Sequence, residues 1–557
     1  MNAPSLIGNQ LVALLSRLNG SRVPELERAV GALCAALEEG HVCVALESDA
    51  TARLRACEVV GGPGNFAPLI LDGGLLYLAR YWNYEDALAK DIRARASASP
   101  VACDETKLAA GLTRYLGDAD AAQREAAANA VRRKFSVITG GPGTGKTRTA
   151  TVALALLAEQ GVARFALAAP TGKAAARLKD SLAQTLDTLA VPAATRAPLP
   201  TDASTLHRLL GSIPGAGFRH DAGNPLSADV VVVDEASMID LPLMAKLFAA
   251  VRTDARIVLL GDPRQLASVE AGHVLGDICA GAPRECITEL VKNHRFHGTS
   301  GIYQLSRAVN DGDEAAVRAL LESPPDDLVS VRVGKSHFSG GGAAETVCDE
   351  GVAATAALRE RVVAGFRACL DAATPQAALN VLGDFRILCA LRAGPSGVRH
   401  FNRLAEQSLA DAGLISPDKT FYAGRPLLVL RNDYSLRLFN GDTGIVLPDE
   451  RGELRAFFAD ETGVRAFAPS RLPEHETAFA MTVHKAQGSE FARVLIVLPE
   501  RESPVLSREL LYTAITRARE NVELWWSEAS LHASIVRSVE RSSGLRARLA
   551  ITKTGAT

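Results

Sequence analysis

Residues 135–147 read FSVITGGPGTGKT, and this stretch carries the strongest pattern in the chain. An apolar run of strand character leads into a glycine-rich loop, and a helical stretch follows. Glycines let backbone N–H groups turn inward around phosphate oxygens at a helix N-terminus. A lysine at the end of such a loop reaches the β and γ phosphates, and the following hydroxyl ligates Mg²⁺. The stretch predicts a nucleotide-phosphate site with these candidate residues: Gly141, Pro142, Gly143, Thr144, Gly145, Lys146, Thr147 and Arg148.

Further short apolar runs surround this loop, each ending in small or polar residues and followed by a helical stretch. In the first half they are residues 135–139, 165–169, 229–235 and 256–262, and later in the chain they are residues 385–390, 492–498 and 522–526. Continuous β-branched runs are typical of parallel strands that are buried on both faces. We therefore expect an α/β fold with two halves, each built on a parallel sheet.

Carboxylates and arginines that suit phosphate chemistry follow several of these runs. Hydrolysis requires a metal anchor and a base that activates water, so two separate carboxylates are needed. We assign Asp234 to the Mg²⁺ shell and Glu235 to positioning of the attacking water, since both follow the run VVVV. The amide of Gln265 is a candidate γ-phosphate sensor, and Arg295 and Arg517 are candidates to neutralise charge on the phosphates.

Composition limits the class of protein. The chain has 557 residues, enough for roughly three to four domains, and 47% hydrophobic and 22% charged residues. We find no stretch of about 18 uninterrupted apolar residues, so a membrane protein is not expected. Nine cysteines without a C-x-x-C pair argue against a zinc site and favour a reducing, cytoplasmic location. The net charge of -2 means that any nucleic-acid contact is local.

Pattern changes along the chain predict its domains. Residues 1–110 form an α+β unit without recognisable chemistry, for which docking to a partner is the expected role. Residues 111–295 form the first α/β lobe, with a small hairpin insert at about 211–228, and residues 296–557 form the second. A β-barrel-like insert at about 418–470 is expected in the second lobe, around a turn at Asn440 and Gly441. The aromatic residues Phe421, Tyr422 and Tyr434 of this insert fit core packing better than the guiding of a strand.

In chain order, these segments resemble nine motifs of superfamily 1 helicases over about 400 residues. The motifs are AAQREAAANAV (121–131), GGPGTGKT (140–147), APTGKAAARL (169–178), TLHRLLG (205–211), VVDEAS (232–237), GDPRQL (261–266), KNHRF (292–296), MTVHKAQGSEF (481–491) and LLYTAITRARE (510–520). The resemblance implies two RecA-like lobes with ATP between them, a small SH3-like β insert in the second lobe, and adenine contacted by Gln123. It also implies that Arg295 lies near the junction of the lobes and that the second lobe contributes Arg517.

The same resemblance places DNA-contacting residues on both lobes: Thr171, Lys173, Thr205 and His207 on the first, and Thr482, His484 and Gln487 on the second. Short donors of this kind suit phosphate oxygens, which carry little sequence information. Such contacts are consistent with a motor that must pass over any sequence. A single histidine among them is as well explained by packing.

Within that superfamily, residues 68–85, 219–244, 388–403 and 422–447 are similar to the RecD family, the alpha subunits of the helicase-nuclease exodeoxyribonuclease V (RecBCD). This resemblance implies 5′ to 3′ movement on single-stranded DNA and a heterotrimer with RecB-like and RecC-like subunits that acts at DNA ends. It also implies roles in double-strand break repair, homologous recombination and degradation of linear DNA.

Two alternatives remain open at this stage. One is a stand-alone superfamily 1 helicase, although chain length and the short N-terminal unit favour the subunit. The other is an ATP-binding assembly or regulatory subunit without unwinding activity. This alternative is disfavoured because every catalytic position is filled. We find no acidic cluster for DNA cleavage outside the ATP site, so we expect any nuclease activity in a partner subunit.

Overall fold

The computed structural model describes residues 6–117, 120–213, 215–296, 298–333, 349–433, 435–460 and 463–550, with backbone alone for 349–355. The chain folds into two compact units. Unit 1 comprises Met1–Pro170, Ala175–Lys292 and Glu540–Thr557, and unit 2 comprises Thr171–Ala174 and Asn293–Val539. Each unit contains one parallel sheet, so the predicted α/β class with two parallel-sheet halves is confirmed.

The N-terminal part of unit 1 is a small α+β arrangement. Its elements are α1 (Leu6–Leu18), α2 (Pro24–Glu38), β1 (Val44–Ala45), α3 (Ser48–Leu54), β2 (Val60–Gly61), β3 (Leu69–Asp72), β4 (Leu75–Leu78) and α4 (Ala79–Ala96). The four strands form one sheet in the order β1-β4-β3-β2. Gly73 and Gly74 have φ values of 58° and 85°, so they make the tight turn that the β3–β4 hairpin requires.

The rest of unit 1 is built on a six-stranded parallel sheet in the order β12-β5-β11-β10-β6-β7. Its first elements are α5 (Glu105–Leu116), α6 (Ala121–Arg132), β5 (Phe135–Gly140), α7 (Lys146–Glu159), β6 (Phe165–Ala169), α8 (Gly172–Thr188), α9 (Ala193–Arg196), β7 (Ser204–Thr205) and α10 (Leu206–Leu210). Then follow β8 (Ser212–Ile213), β9 (Gly217–Phe218), β10 (Val230–Val233), a 3₁₀ turn (Ala236–Met238), α11 (Leu241–Ala250), β11 (Arg256–Gly261), α12 (Val274–Gly281), a 3₁₀ turn (Arg284–Cys286) and β12 (Ile287–Leu290). Strands β8 and β9 pair as a short hairpin.

Both faces of this sheet are buried, as the β-branched runs predict. In β10, Val231 and Val233 pack into one hydrophobic core, whereas Val230 and Val232 pack into another. This alternation is the two-residue period of a strand. Parallel pairing brings the carboxyl ends of β5, β10 and β11 to one edge of the sheet. The loops that carry polar candidates therefore leave from a common edge.

Unit 2 contains a second parallel sheet, in the order β13-β22-β21-β14-β20. Its elements outside the insert are α13 (Gly301–Asp311), α14 (Glu314–Glu322), β13 (Leu328–Arg332), α15 (Asp349–Leu370), α16 (Pro375–Leu382), β14 (Phe385–Cys389), α17 (Val398–Asp411), β20 (Ala480–Thr482), a 3₁₀ turn (His484–Ala486), β21 (Phe491–Val497), α18 (Arg508–Ile515), β22 (Ala518–Trp526) and α19 (Glu528–Val536). Its core collects apolar residues of β14 and β21 against α15 and α17.

An antiparallel sheet of five strands lies between α17 and β20. It consists of β15 (Pro426–Val429), β16 (Thr443–Pro448), β17 (Leu454–Asp460), β18 (Gly463–Phe467) and β19 (His475–Thr477), with a 3₁₀ turn at Pro469–Arg471. The strand order is β18-β17-β16-β15-β19. Gly441 adopts a φ of 97° two residues before β16. The SH3-like, barrel-like character of this insert stays a prediction.

The structure differs from the predicted domain boundaries in two places. The predicted boundary at residue 110 falls inside α5, and Trp82 and Ile92 of α4 share a core with Phe248 of the first lobe. At the other end of the chain, residues from Glu540 onward, including α20 (Leu545–Leu549), belong to unit 1. In both places apolar side chains pack against elements that are distant in sequence. In the described part of the chain, no helix has both the length and the apolar character that a membrane span requires.

Candidate functional site

The glycine-rich loop turns sharply between β5 and α7. Gly143 has a φ of 80°, and Gly145, the N-cap of α7, has a φ of 85°. Residues with a Cβ rarely adopt this left-handed region, so glycine is required at both positions. The Thr144 hydroxyl donates to the carbonyl of Gly141 at 2.8 Å and closes the turn. The backbone N–H groups at the start of α7 are thus presented to the loop, as an anion site requires.

Four side chains predicted to bind nucleotide lie on this loop, against it, or in the first turn of α7. The ammonium of Lys146 donates to the carbonyls of Gly140 at 2.6 Å and Gly141 at 3.1 Å, so it lies across the mouth of the loop. The amide of Gln123 is buried and donates to the carbonyl of Thr144 at 3.2 Å. Thr147 is half-buried and Arg148 is exposed in the first turn of α7.

The carboxylate pair follows β10 at the same edge of the sheet. Glu235 has a φ of 51°, which is strained for a residue with a Cβ, and its backbone N–H donates to Asp234 Oδ1 at 2.8 Å. Burial and the charge of Glu235 raise the pKa of Asp234 to about 6. The positive charges of Lys146 and Arg177 oppose this rise in pKa. Arg177, in helix α8, is a charged neighbour that the sequence analysis missed, although it lies within the motif APTGKAAARL.

Gln265 lies in the loop after β11. It is buried, and its amide donates to Asp262 Oδ2 at 3.3 Å. The other oxygen of Asp262 accepts from the backbone N–H of Arg264 at 3.0 Å. Asp262 therefore fixes both the course of this loop and the orientation of the Gln265 side chain.

In unit 2, both candidate arginines donate hydrogen bonds to the same short segment, residues 489–490. Arg295 donates through Nη2 to Glu490 Oε1 at 2.8 Å, and its Nη1 is buried without a partner among the described residues. Arg517 is only 1% exposed and donates to the carbonyls of Thr513 at 3.1 Å and Ser489 at 3.2 Å. Ser489 and Glu490 are adjacent in the motif MTVHKAQGSEF. The sequence alone did not identify Glu490 as the partner of Arg295, because no local pattern links two residues so far apart in the chain.

The threonines predicted to contact DNA each cap a turn. The hydroxyl oxygens of Thr171, Thr205 and Thr482 accept hydrogen bonds of 3.2, 3.2 and 3.3 Å from the backbone N–H three residues later. A hydroxyl that accepts such a bond still carries a proton that can be donated to a phosphate oxygen. The capping bonds therefore orient these hydroxyls and are compatible with the predicted role.

The other predicted DNA residues have varied surroundings. The Lys173 ammonium lies 5.6 Å from the centre of the Phe491 ring. His207 is exposed, with its ring 5.8 Å from that of Phe218. His484 begins a 3₁₀ turn that ends just before the buried Gln487.

These DNA candidates divide between the two units. Thr482, His484 and Gln487 lie together on one segment of unit 2, whereas Thr205 and His207 belong to unit 1. Thr171 and Lys173, which were expected on the first lobe, fall in the short stretch 171–174 that groups with unit 2.

Two aromatic residues of the insert fit the packing interpretation. Tyr422 is buried in the core of unit 2, and its hydroxyl donates to Glu406 at 2.6 Å. The ring of Phe421 lies 5.6 Å from that of His475. Tyr434 lies outside the described residues.

Comparison with known proteins identifies both lobes. Residues 123–271 match the model of an AAA domain family, and residues 477–524 match that of the UvrD-like helicase C-terminal domain. The first match contains the glycine-rich loop, the carboxylate pair and Gln265. The second contains the segment 482–490 and Arg517.

Full-length relatives extend the similarity to nearly the whole chain. RecBCD enzyme subunit RecD of Mycobacterium tuberculosis (strain H37Rv) is 41% identical over 97% of this chain and 94% of its own. RecBCD enzyme subunit RecD of Haemophilus influenzae is 34% identical over 86% of this chain and 81% of its own. ATP-dependent RecD2 DNA helicase of Deinococcus radiodurans is 34% identical over 70% of this chain and 46% of its own. With its two RecA-like lobes, the chain belongs to the RecD family of ATP-dependent superfamily 1 DNA helicases.

Proposed function

We propose that this chain is the 5′ to 3′ motor subunit of a helicase-nuclease, driven by ATP hydrolysis. One observation carries the proposal: a glycine-rich loop with its lysine ammonium across the mouth lies in the same lobe as the half-buried Asp234–Glu235 pair. Such a set serves phosphoryl transfer, in which catalysis is mostly positioning and charge stabilisation.

The residues present fit a magnesium nucleotide. The N-terminus of α7 and the Lys146 ammonium supply positive charge for the β and γ phosphates. The Thr147 hydroxyl and the Asp234 carboxylate are the oxygen donors that Mg²⁺ prefers, and Mg²⁺ usually uses only one or two carboxylates in addition to phosphates and water. When bound, Mg²⁺ would neutralise charge on the phosphates. Gln123, which already contacts the loop through Thr144, is the proposed adenine contact.

In the proposed hydrolysis step, the chain's own residues orient water and stabilise charge. The Glu235 carboxylate orients the attacking water, and Gln265 senses the γ-phosphate from the loop after β11. The guanidinium groups of Arg295 and Arg517 stabilise the negative charge that develops on the phosphates. Nη1 of Arg295, which has no partner among the described residues, is the donor that suits this role.

Movement along DNA follows from two groups of phosphate contacts on different units. Thr205 and His207 belong to unit 1, and Thr482, His484 and Gln487 belong to unit 2. If ATP binding and hydrolysis change which group holds the backbone, alternating grip becomes directed stepping. Contacts to phosphate alone allow the motor to pass over any sequence.

We further propose RecB-like and RecC-like partners in a heterotrimer that acts on double-stranded DNA ends and on the single strands derived from them. Repair of double-strand breaks, homologous recombination and degradation of linear DNA would be its cellular roles, in the cytoplasm. The relatives named as RecBCD subunits support this assignment, because the similarity to one of them covers 97% of this chain, against 70% for the RecD2 helicase. The nuclease would then reside in a partner subunit, and residues 1–110 are the proposed docking region.

A strand-displacement assay tests this function. The full chain, co-expressed with its candidate partners, is given duplexes with either a 5′ or a 3′ single-stranded tail, with Lys146→Gln in the same complex as the control. Because a RecB-like partner can add its own motor activity, only the unwinding that Lys146→Gln removes is assigned to this chain. We expect that fraction on 5′ tails. Its restriction to 3′ tails, or its absence on both, would contradict the proposal.

A further inference from the structure

The end of the chain contacts the ATP-site lobe in a way that the proposed function does not use. Residues 540–549, which we call the C-terminal segment, follow the last residue of unit 2, yet belong to unit 1. Leu545 and Leu549 of α20 are fully buried in the core that contains β10 and β11. The segment is thus built into the first lobe, and its polar contacts have a definite target.

That target is the loop between β11 and α12. Arg541 Nη1 donates to the carbonyl of Glu270 at 2.8 Å and to that of Gly272 at 2.9 Å. The guanidinium also lies against Gly40, where an added Cβ would come within 2.7 Å of Arg541 Cζ. Burial lowers the pKa of Arg541, because desolvation disfavours the charged form of its guanidinium. The cation is therefore held at this point although its desolvation is unfavourable.

Backbone bonds hold Arg541 in place. The N–H of Ser542 donates to His41 Nδ1 at 2.8 Å, and the N–H of Val42 donates to the carbonyl of Ser542 at 2.8 Å. The N–H of Gly272 donates to the carbonyl of Gly40 at 2.9 Å. Residues 40–42, 270–272 and 541–542 therefore meet at this point. The Arg541 side chain joins the C-terminal segment to the loop that contains residues 270–272.

The loop held by Arg541 is the loop that carries Gln265. His273, next to Gly272, donates through Nε2 to the carbonyl of Pro263 at 3.0 Å, so the end of the loop is tied to its start. Pro263 follows Asp262, whose carboxylate receives the Gln265 amide. Three contacts thus lead from Arg541 to the proposed γ-phosphate sensor: Arg541 to Gly272, His273 to Pro263, and Asp262 to Gln265. Misplacement of a catalytic group by even about 1 Å can reduce turnover severely.

We propose that Arg541 is a positioning residue for ATP hydrolysis, which holds the loop at 262–273 so that Gln265 faces the γ-phosphate. This inference rests on the proposed function, since it assigns Gln265 a role in that reaction. It assigns the C-terminal segment a part in turnover, whereas its buried leucines alone would indicate only stability.

The test compares Arg541→Ala, Arg541→Lys and the matched control Arg546→Ala, an exposed arginine of the same segment. Steady-state ATPase in the presence of single-stranded DNA gives kcat and KM. Hydrogen exchange of the nucleotide-free full chain reports the amides of residues 264–272. For Arg541→Ala we expect about a tenfold lower kcat, a KM for ATP within about twofold of wild type, and faster exchange in this loop. Arg541→Lys, which retains a cation, should be intermediate, and Arg546→Ala should match wild type.

The outcomes separate a positioning role from a structural one. A kcat per folded molecule that equals wild type, with only a lower unfolding midpoint, would overturn the proposal, as would a change in KM alone or unchanged exchange in residues 264–272. If Arg541→Ala does not fold, Arg541→Lys decides by the same criteria. A wild-type chain without ATPase activity would refute the proposed function instead, and the exchange comparison would still show whether Arg541 holds the loop.

Discussion

Glu490→Gln tests whether Glu490 positions the Arg295 guanidinium to contact a phosphate group of the nucleotide. The two side chains are 23% and 14% exposed, and Arg295 Nη2 lies 2.8 Å from Glu490 Oε1. At an effective dielectric constant of 20, charges at this distance attract by about 6 kcal/mol before desolvation is counted. After desolvation, a hydrogen bond between charged groups contributes about 1.5–3 kcal/mol. Glutamine keeps the shape and an acceptor oxygen but removes the charge, so we expect kcat to fall by about 10- to 100-fold.

A double-mutant cycle with Arg295→Ala makes this prediction specific. DNA-stimulated ATPase is measured for both single variants and the double variant, with Glu520→Gln at an exposed position as the matched control. If Glu490 acts through Arg295, the double variant loses no more activity than Arg295→Ala alone. Losses that multiply would show that the two residues act independently, and would refute the assignment of Glu490 as the residue that positions Arg295.

Two further predictions concern stability. Burial raises the pKa of Asp277 to about 6, so the folded chain keeps a proton that the unfolded chain releases from about pH 4 upward, and stability falls between about pH 4 and pH 6. Asp277→Asn should therefore raise the unfolding midpoint at about pH 7.5, by roughly 1–3 kcal/mol in free energy, and the gain should vanish below about pH 4; equal gains at both pH values would contradict this. Deletion of residues 1–110 should prevent cooperative folding, because it cuts α5 and removes Trp82 and Ile92 from a core shared with Phe248; a wild-type melting curve would contradict it.

Features that depend on neighbouring residues were predictable from the sequence. The run VVVV became β10, buried on both faces, because continuous β-branched residues suit a parallel strand between two helical layers. Gly143 and Gly145 adopt the left-handed conformations that a phosphate loop needs. Gly73 and Gly74 form the two-residue turn between β3 and β4, because two glycines between apolar runs suit such a turn.

Features that depend on distant pairing were not predictable. Arg295 and Glu490 are 195 residues apart, and the bond from Ser542 to His41 joins positions separated by 501 residues. No local period or motif encodes such pairs, since each side chain alone is typical of a solvated surface. The N-terminal region also reads as an independent unit in sequence, because the apolar face of α4 does not indicate which core it enters. The partner of an amphipathic helix is set by tertiary packing.

ATP turnover by Lys146→Gln in the presence of single-stranded DNA is the sharpest test of whether the glycine-rich loop of this chain drives ATP hydrolysis. We expect this variant to fold and to enter the complex as the wild type does. We expect the part of the DNA-stimulated turnover that belongs to this chain to fall by at least about 100-fold, because the charge that binds the β and γ phosphates is gone. An otherwise intact variant that hydrolyses ATP at a rate near that of the wild type would show that Lys146 does not serve hydrolysis.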